Sequence, residues 1–324
     1  MYEFIVEEAQ AGRKLSSLLG TTHGMSRKFI RRVIQENGIS RNGQPVLLSA
    51  IVEEGDRIQV QFPVESSSVQ PEKMPIQICY EDANVLVVNK PAGILTHPSA
   101  KEKTGSLLAG VAHYLAPAGL IPHSVHRLDK FTSGAILYAK HAHAHHLLDV
   151  AMRSNLVHRQ YVALAYTPSD VPIGSWHTLE DYIAQDPNKP SRRIIGNSDN
   201  GQLAITHMQA IARMGDVCVY RFRLETGRTH QIRLQMASRG LPLVGDRDYT
   251  YDYSGLPGNR STRYCEKMLP HQALHAYQLT WQAKNMTEPI CVYAKPAEDL
   301  EEIWALIGAK ATLHQLLEDN ADTL

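Results

Sequence analysis

The sequence is poor in everything that would tie it to a membrane, an oxidising compartment or a bound cofactor. Its four cysteines, Cys79, Cys218, Cys265 and Cys291, lie far apart without a Cys-x-x-Cys pair. That excludes a zinc ribbon and the disulfide framework of a small secreted domain, so reduced thiols are expected. No apolar run reaches the roughly 20 residues that span a bilayer. The N-terminus, Met-Tyr-Glu-Phe-Ile-Val-Glu-Glu, has neither the basic start nor the apolar stretch of a secretory signal. There is no glycine-rich phosphate loop and no cluster at metal-ligand spacing, so no nucleotide, metal or other cofactor is expected. A monomeric cytoplasmic protein without membrane contact is the expectation, and 324 residues suffice for one large domain and one small one.

Net charge is missing too, since 33 basic residues balance 33 acidic ones. The balance conceals an asymmetry. Arg13, Lys14, Arg27, Lys28, Arg31, Arg32 and Arg41 crowd one stretch against the single acid Glu36. From Glu298 onward, Glu298, Asp299, Glu301, Glu302, Glu318, Asp319 and Asp322 face only Lys310. Local basic clusters, not the whole-chain sum, govern phosphate binding.

The basic stretch has a readable structure. Ser26 is placed to cap a helix that Asn37-Gly38 stops. Within it Phe29, Ile30, Val33 and Ile34 centre on one face, and Arg27, Lys28, Arg31 and Arg32 on the opposite one. Asn42-Gly43 signals a hairpin between Ile39–Arg41 and Pro45–Leu47, and Val52 to Val60 closes the unit with a turn and an alternating strand. A basic helix face is compatible with a merely solvated surface as well as with nucleic acid. Pro63 to Pro75, with Ser66-Ser67-Ser68, reads as a linker.

From Ile76 onward strand-like runs alternate with loops and a few helices. Val85-Leu86-Val87-Val88-Asn89-Lys90 is an apolar strand ending in a Pro91-Ala92-Gly93 turn, with Lys90 read as a surface charge. His126-Arg127-Leu128-Asp129-Lys130-Phe131-Thr132-Ser133-Gly134 sets one carboxylate between two bases just before the apolar run Ala135 to Ala139. An acid on a turn at the mouth of a buried strand is well placed to aim into a cleft, although Asp, Thr, Ser and Gly also make ordinary turns. His141, His143, His145 and His146 invite a metal reading. Only His141 and His145 have one-face spacing and no zincin carboxylate accompanies them, so solvated surface histidines are expected. Arg159 to Ala165 reads as a strand with alternating exposure that carries Tyr161. Leu224-Glu225-Thr226-Gly227-Arg228-Thr229-His230-Gln231-Ile232-Arg233 reads as strand, glycine turn and helix start, with Gly240-Leu241-Pro242-Leu243-Val244-Gly245-Asp246 beyond.

Three of these stretches, in this order, resemble the motifs of the RluA-type family of RNA pseudouridine synthases. They are Tyr80-Glu81-Asp82 through Pro98, His126 to Gly134, and Thr226 to Arg233 with its Gly-x-Pro-x-x-Gly-Asp sequel. Leu274–Leu279 and Pro289–Pro296 match the family's closing strands, so the likeness runs to about Asp299. Gln235 and Thr250 depart from the pattern, where the family favours histidine and glycine. The N-terminal stretch resembles a small ribosomal-protein-type RNA-binding domain, with Ser16 where an acid is common. The resemblance implies an α+β protein: a mixed, largely antiparallel sheet catalytic domain with a central RNA-binding cleft, plus a small N-terminal α/β RNA-binding domain. Expected boundaries are 1–62 for the small domain, 63–75 for the linker, 76–299 for the catalytic domain and 300–324 for a C-terminal helix and acidic tail.

The resemblance also implies roles. Asp129 is the catalytic carboxylate, Arg233 pairs with it, and Tyr161 lies against the target base. Arg127 enters the stack vacated by a flipped base, and Arg27, Lys28, Arg31, Arg32 and Arg228 hold RNA. Structured RNA is the expected partner, above all large-subunit ribosomal RNA. Transfer RNA, or a non-catalytic RNA-binding or ribosome-assembly role on the same scaffold, are the alternatives.

Overall fold

The computed structural model describes residues 1–167, 171–249, 260–283 and 286–320. Thr250 and the terminal Asp322 lie outside them. An N-terminal unit is built on a four-stranded antiparallel sheet of β1 (Tyr2–Ile5), β2 (Ile39–Arg41), β3 (Gln44–Pro45) and β4 (Arg57–Val60), in the order β1-β4-β2-β3. The hairpin β2–β3 turns at Asn42 and Gly43, both at positive φ (52° and 81°), as a two-residue turn of this twist requires.

The helix Arg27–Gln35 starts at Ser26, whose side chain accepts from the Phe29 amide at 3.1 Å. Phe29, Ile30 and Val33 are buried among Leu15, Leu18, Leu19 and Ile58, whereas Ile34 stays 43% exposed. At the helix end Asn37, not Gly38, takes the left-handed backbone (φ 53°). Gly38 answers a different need, because a Cβ there would meet the Gln61 carbonyl at 2.9 Å.

The second sheet has eleven strands: β5 (Gln77–Glu81), β6 (Val85–Lys90), β7 (His123–Ser124), β8 (Ser133–Ala139), β9 (Val157–Tyr166), β10 (Trp176–Gln185), β11 (Arg193–Gly196), β12 (Gln202–Met214), β13 (Val217–Leu224), β14 (Leu274–Trp281) and β15 (Ile290–Tyr293). Its main path is β11-β10-β12-β13-β9-β14-β8-β6-β5, with β15 on β14 and β7 on β8. Every pairing is antiparallel except the short β14–β8 contact. The architecture is therefore α+β with a largely antiparallel sheet, as expected.

Both faces of the central strands are covered. In β9, Tyr161, Ala163 and Ala165 point into one core with Leu107, Val111 and Ile232, while Val162, Leu164 and Tyr166 point into another with Leu300, Ile303 and Trp304. From Tyr161 to Tyr166 every side chain of β9 is therefore buried, which corrects the alternating exposure expected along Arg159 to Ala165. The helices Glu298–Leu306 and Leu313–Asp319 complete the second core.

Two further sequence expectations need correction. His141 and His143 are not surface histidines: they are 8% and 3% exposed. They lie at the start of the helix Ala142–Arg153, where His143 stacks on Phe29 and His141 lies against Phe62, with centroids 5.3 and 4.6 Å apart. The N-terminal unit thus docks on this helix, and a histidine ring serves there as a flat, mostly apolar plate. Lys90 is likewise no surface charge but fully buried. The Pro63–Pro75 segment is fastened at several points, Glu65 accepting from His123 at 2.6 Å and from the Ala142 amide at 2.8 Å.

Candidate active site

The second and third motifs meet across the sheet in a cleft of about 310 Å³, whose walls include Arg127, Asp129, Tyr161, Arg228, His230 and Arg233. Asp129 sits on the turn before β8, and the turn is closed by a Thr132 amide bonded to the Asp129 carbonyl at 3.1 Å. Three anchors fix that turn. The buried Lys90 ammonium donates to the carbonyls of Pro91, Ile94 and Lys130 at 3.0, 2.7 and 2.8 Å, using all three of its hydrogens. Burial pulls its pKa down to about 7, an effect that Asp129 partly offsets. The Thr96 hydroxyl donates to the Leu128 carbonyl at 2.8 Å and accepts from the Leu128 amide at 3.2 Å. Behind them, Gly134 (φ 112°) runs so close to β14 that a Cβ would meet the Ala276 carbonyl oxygen at 2.2 Å.

The bases flanking Asp129 in sequence are not the ones that face it. Lys130 turns to Glu102 at 2.7 Å, and Arg127 is exposed at the cleft rim. Asp129 Oδ2 instead lies 3.6 Å from Arg233 Nη1 and 3.9 Å from His230 Nε2. Arg233, 5% exposed, is held by a fork: Nε and Nη2 each donate to Asp246 at 2.7 Å, and Nη2 also reaches Asp248 at 3.0 Å. Burial alone would push the guanidinium toward its neutral form. Burial is the largest single influence, but the Asp246 hydrogen bonds, the charges of Asp246 and Asp129 and the Asp248 hydrogen bond together outweigh it and raise its pKa. The expected Arg233–Asp129 pair is therefore a 3.6 Å ion pair, while Asp246 takes the two-pronged contact.

His230 occupies a left-handed backbone position (φ 58°) before the helix Gln231–Ala237. Its Nδ1 is 2.9 Å from the Tyr249 hydroxyl, which accepts from the Arg193 amide at 3.0 Å. With that lone pair occupied, the phenol hydrogen is free for Nδ1, which places the imidazole proton on Nε2, facing Asp129. Burial lowers the His230 pKa, with Asp129 opposing, and keeps the ring neutral.

Tyr161, on β9, is 5% exposed, and burial raises its pKa. Two residues earlier Arg159 enters the same cleft. His126 is buried with Nε2 accepting from the Leu137 amide at 3.2 Å, and burial drops its pKa to about 3. It is a neutral structural group. Arg228, at the rim, donates from Nε to the Leu203 carbonyl at 2.9 Å.

Of the basic residues on the N-terminal helix, Arg27, Lys28 and Arg31 are exposed. Arg32 is half-buried and donates to the Val64 carbonyl at 2.9 Å, so it fastens the following segment. Among the described residues no cluster of His, Cys, Asp or Glu could hold a metal ion, and no helix is long and apolar enough to cross a membrane. Sequence reading nominated Asp129, Tyr161 and Arg233, which the fold brings together. It missed Lys90, Arg159, His230 and Asp246. The Arg-x-Tyr spacing of β9 carried a signal for Arg159, since period two puts both side chains on one face.

A cleft that sets Asp129 beside a fixed guanidinium and a buried tyrosine, with a basic rim, suits a polyanionic ligand. Comparison with known proteins makes this specific. Residues 84–238 match the family model described as RNA pseudouridylate synthase. The chain is 38% identical to the uncharacterized RNA pseudouridine synthase YhcT of Bacillus subtilis (strain 168), over 85% of this chain and 86% of that one. It is 32% identical to the ribosomal large subunit pseudouridine synthase D of Xylella fastidiosa (strain Temecula1 / ATCC 700964), over 95% and 93%. Among solved structures, human RNA pseudouridylate synthase domain containing 1 shares the fold, with a TM-score of 0.57 at 24% identity over 79% of this chain and 96% of that one. The chain belongs to the RNA pseudouridylate synthase family and is an RNA-modifying isomerase.

Proposed function

We propose that this enzyme converts specific uridines of large-subunit ribosomal RNA to pseudouridine, with Asp129 as the catalytic carboxylate. The conversion breaks the bond from ribose C1′ to uracil N1, turns the base, joins C1′ to C5 and removes the C5 proton, while N1 takes up a proton. It is an isomerisation and consumes no oxidant or nucleotide. It needs an extruded base, an ionised acid beside it and shelter from water. The observation that carries the reading is the convergence of Asp129, Tyr161, His230 and Arg233 on one cleft from the second motif, strand β9 and the third motif.

Each group then has a task. Arg233 and the His230 Nε2 hydrogen hold one Asp129 oxygen and leave the other for the substrate. Tyr161, kept protonated by burial, gives the flipped uracil a flat wall to rest on. Arg127, exposed at the rim, fills the gap left in the RNA stack, and Arg228 binds RNA beside it. Arg27, Lys28 and Arg31 contact phosphates and position the RNA without reading its sequence. Arg32 supports that surface from behind. We assign residues 1–62 to RNA binding, 76–299 to catalysis and 300–324 to a helical and acidic C-terminal part. Ribosomal RNA as substrate is supported by the full-length likeness to a ribosomal large subunit synthase.

The test is a pseudouridine map of ribosomal and transfer RNA from a deletion strain and its parent. One or more large-subunit positions should revert to uridine and be restored by the wild-type gene but not by Asp129→Asn. Loss confined to transfer RNA would reassign the substrate, and restoration by Asp129→Asn would refute the role of the carboxylate.

A further inference from the structure

Arg159 is the cleft group that the roles above leave unused. Strand alternation on β9 turns it inward beside Tyr161, and it is 8% exposed. Its guanidinium makes no hydrogen bond or ion pair to any described residue, and Nε is sealed from solvent without a partner. No acid in the cleft is free to take it. Asp129 faces Arg233 and His230, and Glu225 binds His207 at 2.7 Å. What borders the guanidinium is bare backbone: a Cβ on Gly227 would stand 2.7 Å from Nη1.

An arginine does not escape burial by losing its proton, so a guanidinium with a sealed Nε and no counter-charge carries a cost in the free protein that a ligand in the cleft it lines can relieve. The complex that removes the cost must bring an anion. In RNA the base and ribose are neutral and only the phosphodiester is charged, and its two non-bridging oxygens match the guanidinium fork.

We propose that Arg159 is the binding subsite for the phosphodiester next to the uridine held in the cleft, with the missing side chain of Gly227 making the space in which its guanidinium lies. The proposal rests on the cleft being the uridine site. It concerns binding, and Arg159 is not given a catalytic role.

Short oligouridylates test it in protein carrying Asp129→Asn, where no turnover interferes. The probes are UpUpU and the same trinucleotide with one or the other linkage replaced by a neutral methylphosphonate. One replacement should weaken binding about tenfold when Arg159 is present and not at all in Arg159→Met, with Arg159→Lys between. The free Arg159→Met protein should melt no lower than its parent, because the substitution removes an unpaired charge. Equal binding of all probes to the parent, or the same methylphosphonate penalty in Arg159→Met, overturns the proposal. So does a clear loss of melting temperature in Arg159→Met, which would mark Arg159 as structural. Because these measurements involve no chemistry, they fail independently of the Asp129 test.

Discussion

Arg233 does two things with one guanidinium: it closes a buried pair with Asp246 and presents its remaining edge to Asp129. Removing it leaves two acids, one of them 1% exposed, without their counter-charge. Breaking one partner out of a buried pair costs about 3–5 kcal/mol. Arg233→Ala should therefore lower unfolding free energy by about that amount, read by urea denaturation, besides abolishing turnover. His230→Asn is a milder probe, because asparagine tolerates the left-handed backbone that His230 adopts. It deletes the 3.9 Å contact to Asp129 and the 2.9 Å bond to the Tyr249 hydroxyl that orients the ring, so kcat should fall by about tenfold with KM unchanged. A fall in KM of the same size would contradict a role confined to Asp129. Asp129 and Arg233 are legible because each stands in a run that resembles a family motif; as bare residues the first also reads as an ordinary turn and the second as a surface charge. Lys90 and His230 are illegible for a physical reason. Their roles depend on which carbonyls or hydroxyls the fold brings from 40 residues away (Lys90 to Lys130) or 19 (His230 to Tyr249).

At the level of elements, Ser26 as cap is legible from residue type, and buried Phe29, Ile30 and Val33 opposite exposed Arg27, Lys28 and Arg31 from a period of 3.6, whereas Ile34, expected on the apolar face, stays exposed. What the period does not reveal is that Arg32 bends back to Val64 and that histidines of a distant helix seat the unit. Converting Arg27, Lys28 and Arg31 together to Gln should weaken RNA binding for every sequence alike. The slope of log K against log salt should become shallower by about 2–3, near 0.9 per lost duplex phosphate contact. Arg32→Gln alone should leave the slope unchanged, which separates the fastening residue from the phosphate-binding ones.

For the whole molecule, buried histidines set the acid limit of stability. Burial lowers the pKa of His126 to about 3 and of His23, His141, His143 and His275 to about 4, from 6.5. The unfolded chain takes up protons at these sites below pH 6.5, whereas the folded chain does so only near pH 4 or below. Their contribution is thus intact above pH 6.5 and lost as pH falls through that window. Each histidine contributes a slope of up to about 1.4 kcal/mol per pH unit. Five together exceed an ordinary folding free energy of about 5–15 kcal/mol before pH 4. Thermal melts should show a steep fall between pH 6.5 and 4, and His143→Phe, which keeps the flat ring against Phe29, should move the fall to lower pH. An unchanged profile would show that these rings are not buried neutral.

The strand order has a consequence in time. β14 lies between β8 and β9, and its Ala276 is in register with Gly134 on one side and Tyr161 on the other. Until residue 276 has been made, β8 and β9 lack the strand that lies between them in the sheet. Long-range pairing of this kind is also the slow part of folding. The sheet behind the cleft is therefore completed late in the chain, by residues more than 140 positions after Asp129.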